Sequence, residues 1–430
     1  MKNKKKKRSY LNFVKRIIYI FINILFIFYF YNSEFNFHGP LINNHLYKQE
    51  RLSDKLKWPP LKIYVYPKNK YHTDDCLYPP EMPNRYINET NYWFQRMLEP
   101  TVHLQFLQSP LYTQNPDESD LFFIPHYSRM CSGLPHDNGK RWRNISPYLN
   151  KSGMYFQRYS QVDHIIMHSV PQYGDKPADN AVLSPKSPII CLLDFRVTKM
   201  RNNPWTFSKS VLVPFITIPI DLREAENHER NFSAFVAMST STKGLKARSA
   251  ELRQTVENKL LNVSKSYVLT IIRNNYSTFR FAIDNLKNFM IESNLCIVPP
   301  GDAPSSKRFY DAVNALCVPY LISDYFFLPF EGSVFDYDDF IFQLSSKKIY
   351  LLSQNLNEII QNNLSEIIRK RENLKIMKER FTWNYKKPPK KGQALWTLSW
   401  AVFDKFQMIK PYLNNEMTGY ENDEYFDIVS

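Results

Sequence analysis

A sequence pattern suited to binding phosphate follows an apolar run in the second half of the chain. Leu295–Val298 predicts a buried strand, and it leads through Gly301 to two serines, Ser305 and Ser306, that precede a helical stretch. Serine hydroxyls and the unpaired backbone N–H groups at the start of a helix bind phosphate oxygens. The pattern therefore indicates a site for a phosphorylated ligand, although it contains neither a GxGxxG nor a Walker motif.

The helical stretch itself carries charged residues near its start. Apolar residues recur at helical spacing between Phe309 and Leu316, which predicts one buried face. Lys307, Arg308 and Asp311 lie off that face. Arg308 can make a forked, charge-assisted contact with a phosphate, and Asp311 can accept hydrogen bonds from ribose hydroxyls. These groups suit a nucleotide diphosphate; the alternative is an ordinary capped helix with a solvated polar face.

The pattern lies within a series of strands that alternate with helices. The predicted strands are Phe232–Ala237, Tyr267–Ile271, Leu295–Val298 and Val318–Ser323, and the predicted helices are Lys246–Leu261, Arg280–Ser293 and Ser305–Leu316. This alternation predicts a parallel α/β lobe. Ligands of such sheets bind beyond the carboxyl ends of the strands, which is where Gly301 and the two serines are expected.

A comparable series comes earlier in the chain. Its predicted strands are Leu61–Tyr66, Leu121–Pro125, His164–Met167 and Val211–Pro214, with helices at Asn91–Glu99 and Met154–Gln161. The two series together predict two Rossmann-like lobes with a cleft between them. An amphipathic helix (Asn355–Phe381), a basic loop (Lys386–Lys391) and a last helix (Ala394–Met408) are expected to follow.

The stretch from residue 293 to residue 331 resembles the signature of the exostosin glycosyltransferase family. The matching residues are Cys296, Pro299, Gly301, Asp302, Ser305, Ser306, Arg308, Asp311, Ala312, Cys317, Pro319, Ser323, Asp324, Leu328, Pro329, Phe330 and Glu331. Weaker similarity extends over most of residues 61 to 345, including the Asp163–His164 pair.

This resemblance implies a GT-B fold of two facing Rossmann-like lobes and transfer of a sugar from a nucleotide sugar with inversion. It implies that Ser305, Ser306 and Arg308 contact the diphosphate, that Asp311 contacts the ribose, and that Cys296 pairs with Cys317. It also implies that no metal held by a DxD motif is required. Asp336-Tyr337-Asp338 has that form but falls in a variable segment of the family.

The sequence departs from the family pattern at three places. Pro300 stands where a basic residue is common, and Phe327 stands where many members have glutamate. Val170-Pro171 replaces a frequent His-Asp pair. These differences allow an alternative function, a catalytically weak or inactive partner subunit of a glycosyltransferase complex.

The general base has to lie outside the phosphate pattern. An inverting transfer needs a carboxylate or imidazole near the acceptor hydroxyl. His126 follows the predicted strand Leu121–Pro125 and is the candidate for this role, with His168 and Asp163 as rivals.

The N-terminal residues indicate a membrane anchor. The run IIYIFINILFIFYFY, residues 17–31, carries no charge, and eight lysines and arginines precede it. No small-residue cleavage pattern follows, so a signal anchor over residues 17–32 is favoured over a cleaved signal peptide. The positive-inside rule then predicts a cytoplasmic tail (1–16) and a luminal body, a single-pass type II membrane protein. The resemblance implies that this membrane is that of the Golgi.

The formal net charge of +15 is concentrated in that basic tail. The rest of the chain is only mildly basic, which suits an anionic ligand such as a nucleotide sugar. The anchor and the glycosylation sequons disfavour nucleic acid as a partner. The sequons are Asn88, Asn144, Asn150, Asn231, Asn262, Asn275 and Asn363.

The five cysteines lack CxxC spacing, which disfavours a zinc site and suits two disulfides plus one thiol in an oxidising compartment. Cys76 with Cys131 is the second candidate pair, and the role of Cys191 stays open.

The sequence thus predicts a stem (33–60), an acceptor-side lobe (61–225), a nucleotide-sugar-binding lobe (226–385) and a helical tail (386–430). The expected activity is inverting transfer from a UDP-sugar to a glycan or polysaccharide acceptor, with no permanently bound cofactor. Homo-oligomers or hetero-oligomers with related transferases are possible partners.

Overall fold

The computed structural model of the chain describes residues 57–67, 97–125, 154–169, 188–194, 210–217, 220–239, 247–270, 285–301, 305–324, 326, 328–330, 336–384 and 387–415. All of them fall in one compact unit, Arg51–Ser430. The predicted tail and anchor (1–32), the predicted stem up to residue 56, His126, Cys76 and Cys131 lie outside the described residues. No helix in the described ranges is long and apolar enough to span a membrane.

The first half of the described chain forms a parallel sheet of six strands in the order β2-β1-β3-β4-β5-β6. The strands are β1 (Ile63–Val65), β2 (Tyr112–Thr113), β3 (Leu121–Ile124), β4 (His164–His168), β5 (Ile189–Leu192) and β6 (Ser210–Leu212). Every side chain of β3 is buried, because both faces of the sheet are covered. This burial on both faces explains why the residues of β3 form a continuous apolar run in the sequence.

The second half forms a parallel sheet of five strands in the order β11-β10-β9-β7-β8. The strands are β7 (Phe232–Met238), β8 (Ser266–Thr270), β9 (Ser293–Val298), β10 (Val318–Ile322) and β11 (Phe342–Leu344). In the register, Cys296 of β9 faces both Phe235 of β7 and Pro319 of β10. The predicted α/β class is confirmed, with two parallel sheets.

Helices connect the strands in both halves. They are α1 (Leu98–Leu107), α2 (Met154–Gln157), α3 (Leu222–Glu226), α4 (Ala247–Leu260), α5 (Lys307–Asn314), α6 (Leu352–Asn362), α7 (Leu364–Phe381) and α8 (Ala394–Asn415), with a further helical segment at 285–291. Short 3-10 turns occur at Pro116–Glu118, Arg158–Gln161, Tyr337–Asp339 and Ser346–Leu351.

One helix prediction needs correction, and another falls largely outside the described residues. Most of the helix expected at Asn91–Glu99 lies in residues 91–96, which the structure does not describe; the described helix in this region is Leu98–Leu107, and it includes Pro100. A proline is tolerated in the first turn of a helix, where its missing N–H would have no partner. The single helix expected at Asn355–Phe381 is two helices, because Asn363 leaves the helical conformation at φ −127° and ψ 35°.

The last helix lies against the first sheet. After α7, the Trp383 indole Nε1 donates to the Pro214 carbonyl at 2.9 Å, and Gln105 Nε2 of α1 donates to the Asn384 carbonyl at 2.7 Å. In α8 itself, Trp396 Nε1 donates to the Lys57 carbonyl at 2.9 Å, and α8 contacts α1 and β6. The segment predicted as a tail therefore returns the chain to the first sheet and completes its core.

Candidate functional site

The start of α5 has the capped geometry that the sequence predicts. Ser306 is the N-cap, with extended backbone angles, and its Oγ accepts a hydrogen bond from the Arg308 backbone N–H at 3.4 Å. Gly301, which follows the carboxyl end of β9, is half-buried. Asp302, Ala303 and Pro304 lie outside the described residues. The helix start thus lies on the carboxyl side of β9, the side at which parallel sheets bind ligands.

A three-residue ion cluster occupies the first turns of α5. Lys307 Nζ donates to Asp311 Oδ1 at 2.5 Å, and Arg308 Nη1 donates to Asp311 Oδ2 at 2.8 Å. The two cations remain partly open, with side-chain exposures of 24% and 29%, whereas the aspartate is 10% exposed. We call Ser305, Lys307, Arg308 and Asp311 the α5 cluster. The Asp311 carboxylate thus binds both positive groups while leaving them partly exposed to solvent.

Burial and charge act against each other in the α5 cluster. Burial lowers the pKa of Lys307, although Asp311 favours its charged form. Burial by itself would raise the pKa of Asp311, but Lys307 and Arg308 outweigh that effect and hold it below its ordinary value. Asp311 therefore stays a carboxylate near neutral pH.

Ser305 has a buried hydroxyl that lacks a hydrogen-bond partner in the described part of the chain. The residue is 3% exposed, and its Oγ contacts no solvent. Leaving a hydroxyl buried and unpaired costs about 1–3 kcal/mol. This arrangement fits a hydroxyl that forms its hydrogen bond with a ligand oxygen. Binding the ligand's phosphate is the role that the resemblance implies for Ser305.

The rest of α5 is anchored in the core. Phe309, Tyr310, Ala312 and Val313 are buried. A disulfide joins Cys296 of β9 to Cys317 just before β10, so the segment that contains α5 forms a covalently closed loop. This is the pair that the resemblance implies. The α5 cluster therefore lies on a helix whose position is fixed by its buried apolar face and by the disulfide.

Contacts also tie α5 to the segment that follows β6. The Tyr310 and Phe215 rings are 5.4 Å apart, and Asn314 Nδ2 lies 3.4 Å from Thr217 Oγ1. Lys378 Nζ of α7 donates to the Asn314 carbonyl at 2.6 Å and to the Ile220 carbonyl at 2.5 Å. Burial lowers the pKa of Lys378 to about 8. The sequence analysis missed Lys378, since a lysine in a charged helix gives no sign of burial.

A second polar cluster lies in the first sheet. Asp163 Oδ1 is 2.8 Å from His164 Nδ1, Asp163 Oδ2 accepts from Arg158 Nε at 2.7 Å, and His164 Nε2 is 3.0 Å from the Tyr66 hydroxyl. We call these four residues the β4 cluster. Asp163 and His164 are fully buried. Burial lowers the pKa of His164 despite its hydrogen bond to Asp163, and burial followed by the Asp163 charge raises the pKa of Tyr66.

The three candidates for the general base differ in what the structure describes of them and in how they are placed. His126 lies outside the described residues. Asp163 has both oxygens bonded inside the β4 cluster and no exposure, which does not fit a base that must reach an acceptor. His168 ends β4, on the carboxyl side of the sheet, and is 2% exposed.

The DxD-like segment acts as a backbone cap. The Asp336 carboxylate accepts from the Asp338 backbone N–H at 3.2 Å and starts the turn Tyr337–Asp339. In the part of the chain that the structure describes, no group of three or more His, Cys, Asp or Glu residues could hold a metal ion.

Three of the seven sequons are in the described residues. Asn231, Asn262 and Asn363 are exposed, as a glycosylation acceptor must be. Asn88, Asn144, Asn150 and Asn275 lie outside the described ranges, as do both members of the second candidate disulfide. Cys191, in β5, is a buried free thiol whose pKa is raised by burial to about 12.

Two parallel sheets with a charged, serine-containing helix start beyond one strand define an α/β protein with a candidate phosphate site. The model of the Exostosin GT47 domain matches residues 57–359, and the chain belongs to this family. The match includes β1 to β11 and the whole α5 cluster.

Similar curated proteins carry the names of sugar transferases. Probable arabinosyltransferase ARAD1 of Arabidopsis thaliana is 27% identical over 53% of this chain, and the match covers 49% of that relative, about half its length. A probable glucuronoxylan glucuronosyltransferase of Arabidopsis thaliana is 23% identical over 80% of this chain and 73% of its own. Probable β-1,4-xylosyltransferase IRX10 of the same plant is 24% identical over 64% of this chain and 66% of its own.

Among solved structures, a mutant of S. aureus TarM in complex with fondaparinux, α-GlcNAc-glycerol and UDP covers 71% of this chain and 58% of its own. The sequence identity is 6% and the TM-score is 0.37, so this similarity supports no argument about function.

Proposed function

We propose that the chain is an inverting glycosyltransferase that moves a sugar from a UDP-sugar to a glycan or polysaccharide acceptor. Membership in the exostosin GT47 family and the names of the relatives support the class of reaction. Because those relatives are named for arabinose, glucuronic acid and xylose, the donor is a pentosyl or hexosyl nucleotide. The proposed arrangement is GT-B, with the lobe of residues 226–385 holding the donor.

One observation carries the proposal: the α5 cluster combines two partly exposed cationic side chains with a buried serine hydroxyl at the start of a helix. The positive end of the helix and the free backbone N–H groups favour phosphate oxygens there. When the bond between the sugar and the diphosphate breaks, negative charge grows on the leaving phosphate. Lys307 and Arg308 lie where they would stabilise that charge, and prearranged contacts of this kind supply much of the rate enhancement in many enzymes.

Asp311 has a double role in this proposal. Its carboxylate already accepts from Lys307 and Arg308, one on each oxygen. A carboxylate has about four acceptor positions, so both ion pairs leave room for ribose hydroxyls. Asp311 would thus bind the ribose and hold the two cations towards the diphosphate.

The acceptor would bind on the lobe of residues 61–225, and the C-terminal residues 386–430 would complete that lobe. His126 is proposed as the general base that takes the proton from the attacking hydroxyl, because it follows the carboxyl end of β3. His168 is the alternative, at the carboxyl end of β4. The reaction is proposed to run without a metal bound by Asp336 and Asp338, whose segment serves as a cap.

The proposed location is the Golgi lumen, with residues 17–32 as a signal anchor and the body glycosylated. The exposed positions of Asn231, Asn262 and Asn363 support glycosylation. A glycosidase shift on a gel, compared between the wild type and a variant with these three asparagines changed to glutamine, tests it.

Calorimetry of the full-length chain with UDP tests the donor site. We expect binding that is lost in Arg308→Ala, together with loss of sugar transfer. Arg369→Ala is the matched control, because Arg369 also pairs with an acid three positions away, Glu366, on the exposed face of α7. Wild-type protein that does not bind UDP would refute the proposal.

A second candidate function is a partner subunit that binds nucleotide sugars without transferring them. Pro300 favours it, because this residue brings no side-chain charge to the phosphate site. A panel of nucleotide sugars with glycan acceptors separates the two functions. UDP binding without turnover of any donor, alone or with related transferases, would identify the partner subunit.

A further inference from the structure

Arg253 lies on the buried face of α4 and bonds to the backbone of Pro300, the residue before Gly301. The residue is 7% exposed, and its neighbours on that face, Ala250 and Val256, are buried as well. Its Nη1 donates to the Ser239 carbonyl at 2.7 Å. Its Nε and Nη2 both donate to the Pro300 carbonyl, at 3.1 and 2.8 Å. One guanidinium therefore binds two carbonyl groups from distant parts of the chain.

Both carbonyls come from the carboxyl ends of neighbouring parallel strands. Ser239 follows β7 directly, Pro300 comes two residues after β9, and β7 pairs with β9. Beyond the last ladder bond, carbonyl oxygens face the edge of the sheet with their negative ends and need a donor. That edge leads into Gly301 and the start of α5.

We propose that Arg253 is the positioning residue of the diphosphate site: it neutralises the carbonyl oxygens of Ser239 and Pro300 and fixes the backbone at Pro300, which precedes Gly301. This inference rests on the proposed function. An unneutralised pair of carbonyl dipoles beside the site would repel a diphosphate, and a buried positive charge attracts it. The forked guanidinium bonds both strand ends at once, which a lysine cannot reproduce.

An arginine at the opposite, amino ends of the same strands provides a matched comparison for Arg253. Arg230 donates to the carbonyls of Ala225, Met290, Ser293 and Ala315. Ser293 begins β9 and Ala315 lies shortly before β10, so these contacts cluster at the amino ends of the strands. Arg230 and Arg253 thus make the same kind of bond at opposite ends of β9, and only Arg253 lies at the ligand edge.

The experiment compares Arg253→Met with Arg230→Met in the full-length chain. The thermal unfolding temperature measures the loss of stability in each variant. Calorimetry with UDP and with inorganic pyrophosphate measures the affinity for phosphate groups. We expect Arg253→Met to weaken both ligands about tenfold or more, as for loss of a charge-assisted interaction. Arg230→Met should lower the unfolding temperature while leaving both affinities unchanged. Arg253→Lys, which returns the charge without the fork, should restore part of the affinity.

The inference is overturned if Arg253→Met and Arg230→Met weaken both ligands by the same factor, or if Arg253→Met weakens neither. Should Arg253→Met fail to fold, the same comparison is made between Arg253→Lys and Arg230→Lys, with a loss of affinity expected only for Arg253→Lys. Wild-type protein that fails to bind UDP would refute the proposed function itself. Wild-type binding with an unaffected Arg253→Met would refute this inference alone.

Discussion

The β4 cluster and the α5 cluster contain similar chemistry in opposite settings. Each pairs an aspartate with an arginine and one further basic residue, His164 or Lys307. The β4 cluster begins at the amino end of its strand, where Asp163 and His164 are fully buried. The α5 cluster follows the carboxyl end of β9 and leaves its cations partly exposed. The burial of the charged groups therefore separates the β4 cluster, a structural network, from the α5 cluster, a candidate binding site.

The largest expected effect is on stability, from breaking the β4 cluster. Asp163→Asn should lower the free energy of unfolding by about 3 kcal/mol, because it leaves a buried ion pair without its acid. UDP affinity should not change. Urea unfolding and calorimetry measure the two quantities. Asp117→Asn, which alters an exposed acid that accepts from Tyr155, is the control and should change stability little. A loss of UDP affinity in folded Asp163→Asn would contradict the distinction between the clusters.

The next effect concerns the covalent support behind the α5 cluster. The Cys296–Cys317 disulfide closes a loop with a sequence separation of 21 residues. Replacing both cysteines by alanine should cost about 3 kcal/mol of unfolding free energy, since the unfolded chain gains freedom. Urea unfolding with and without reductant measures it. Cys191→Ala should keep the reductant sensitivity, and a double variant as stable as the oxidised wild type would show that the bond contributes nothing.

Asp311→Asn tests whether the α5 cluster binds the ribose or only holds its cations. We expect UDP affinity to fall about tenfold, as for loss of hydrogen bonds to a charged acceptor. Pyrophosphate, which has no ribose, should weaken less than UDP, because it loses only the hold of Asp311 on the two cations, and removal of a negative charge offsets part of that loss. Calorimetry with both ligands decides. Equal losses for the two would assign Asp311 to positioning the cations alone. Glu366→Gln, an acid with the same two kinds of partner on α7, is the control.

The smallest effect has opposite signs for stability and binding. Ser305→Ala removes a buried hydroxyl that lacks a partner in the described residues, so unfolding free energy should stay level or rise by about 1 kcal/mol. UDP affinity should fall. Ser210→Ala, which removes another such hydroxyl at the start of β6, should match the stability change without affecting UDP. A stability loss in Ser305→Ala would show that the hydroxyl has a structural partner.

Much of the fold could be predicted from the sequence where the pattern is local. The buried strands β3, β4 and β9 follow from unbroken apolar runs, and α5 follows from the spacing between Phe309 and Leu316. The strand β5 is a short apolar run like β3, so the sequence carried a signal for it that was overlooked. The strands β2 and β11 were not predicted, because they have two and three residues and show little periodicity of their own. Pairing with a neighbour defines such strands, and pairing is a long-range property.

By itself, the sequence determined the family and the residues of the α5 cluster, because both depend on residue types at short, fixed spacings. The tertiary structure alone decided what those residues contact. It placed both cations on Asp311, sealed Asp163 and His164 inside the first sheet, and brought α8 back onto that sheet. It also joined Arg253 to a carbonyl 47 positions away. Such contacts form because buried polar groups must find partners, and the packed chain determines which partners are within reach.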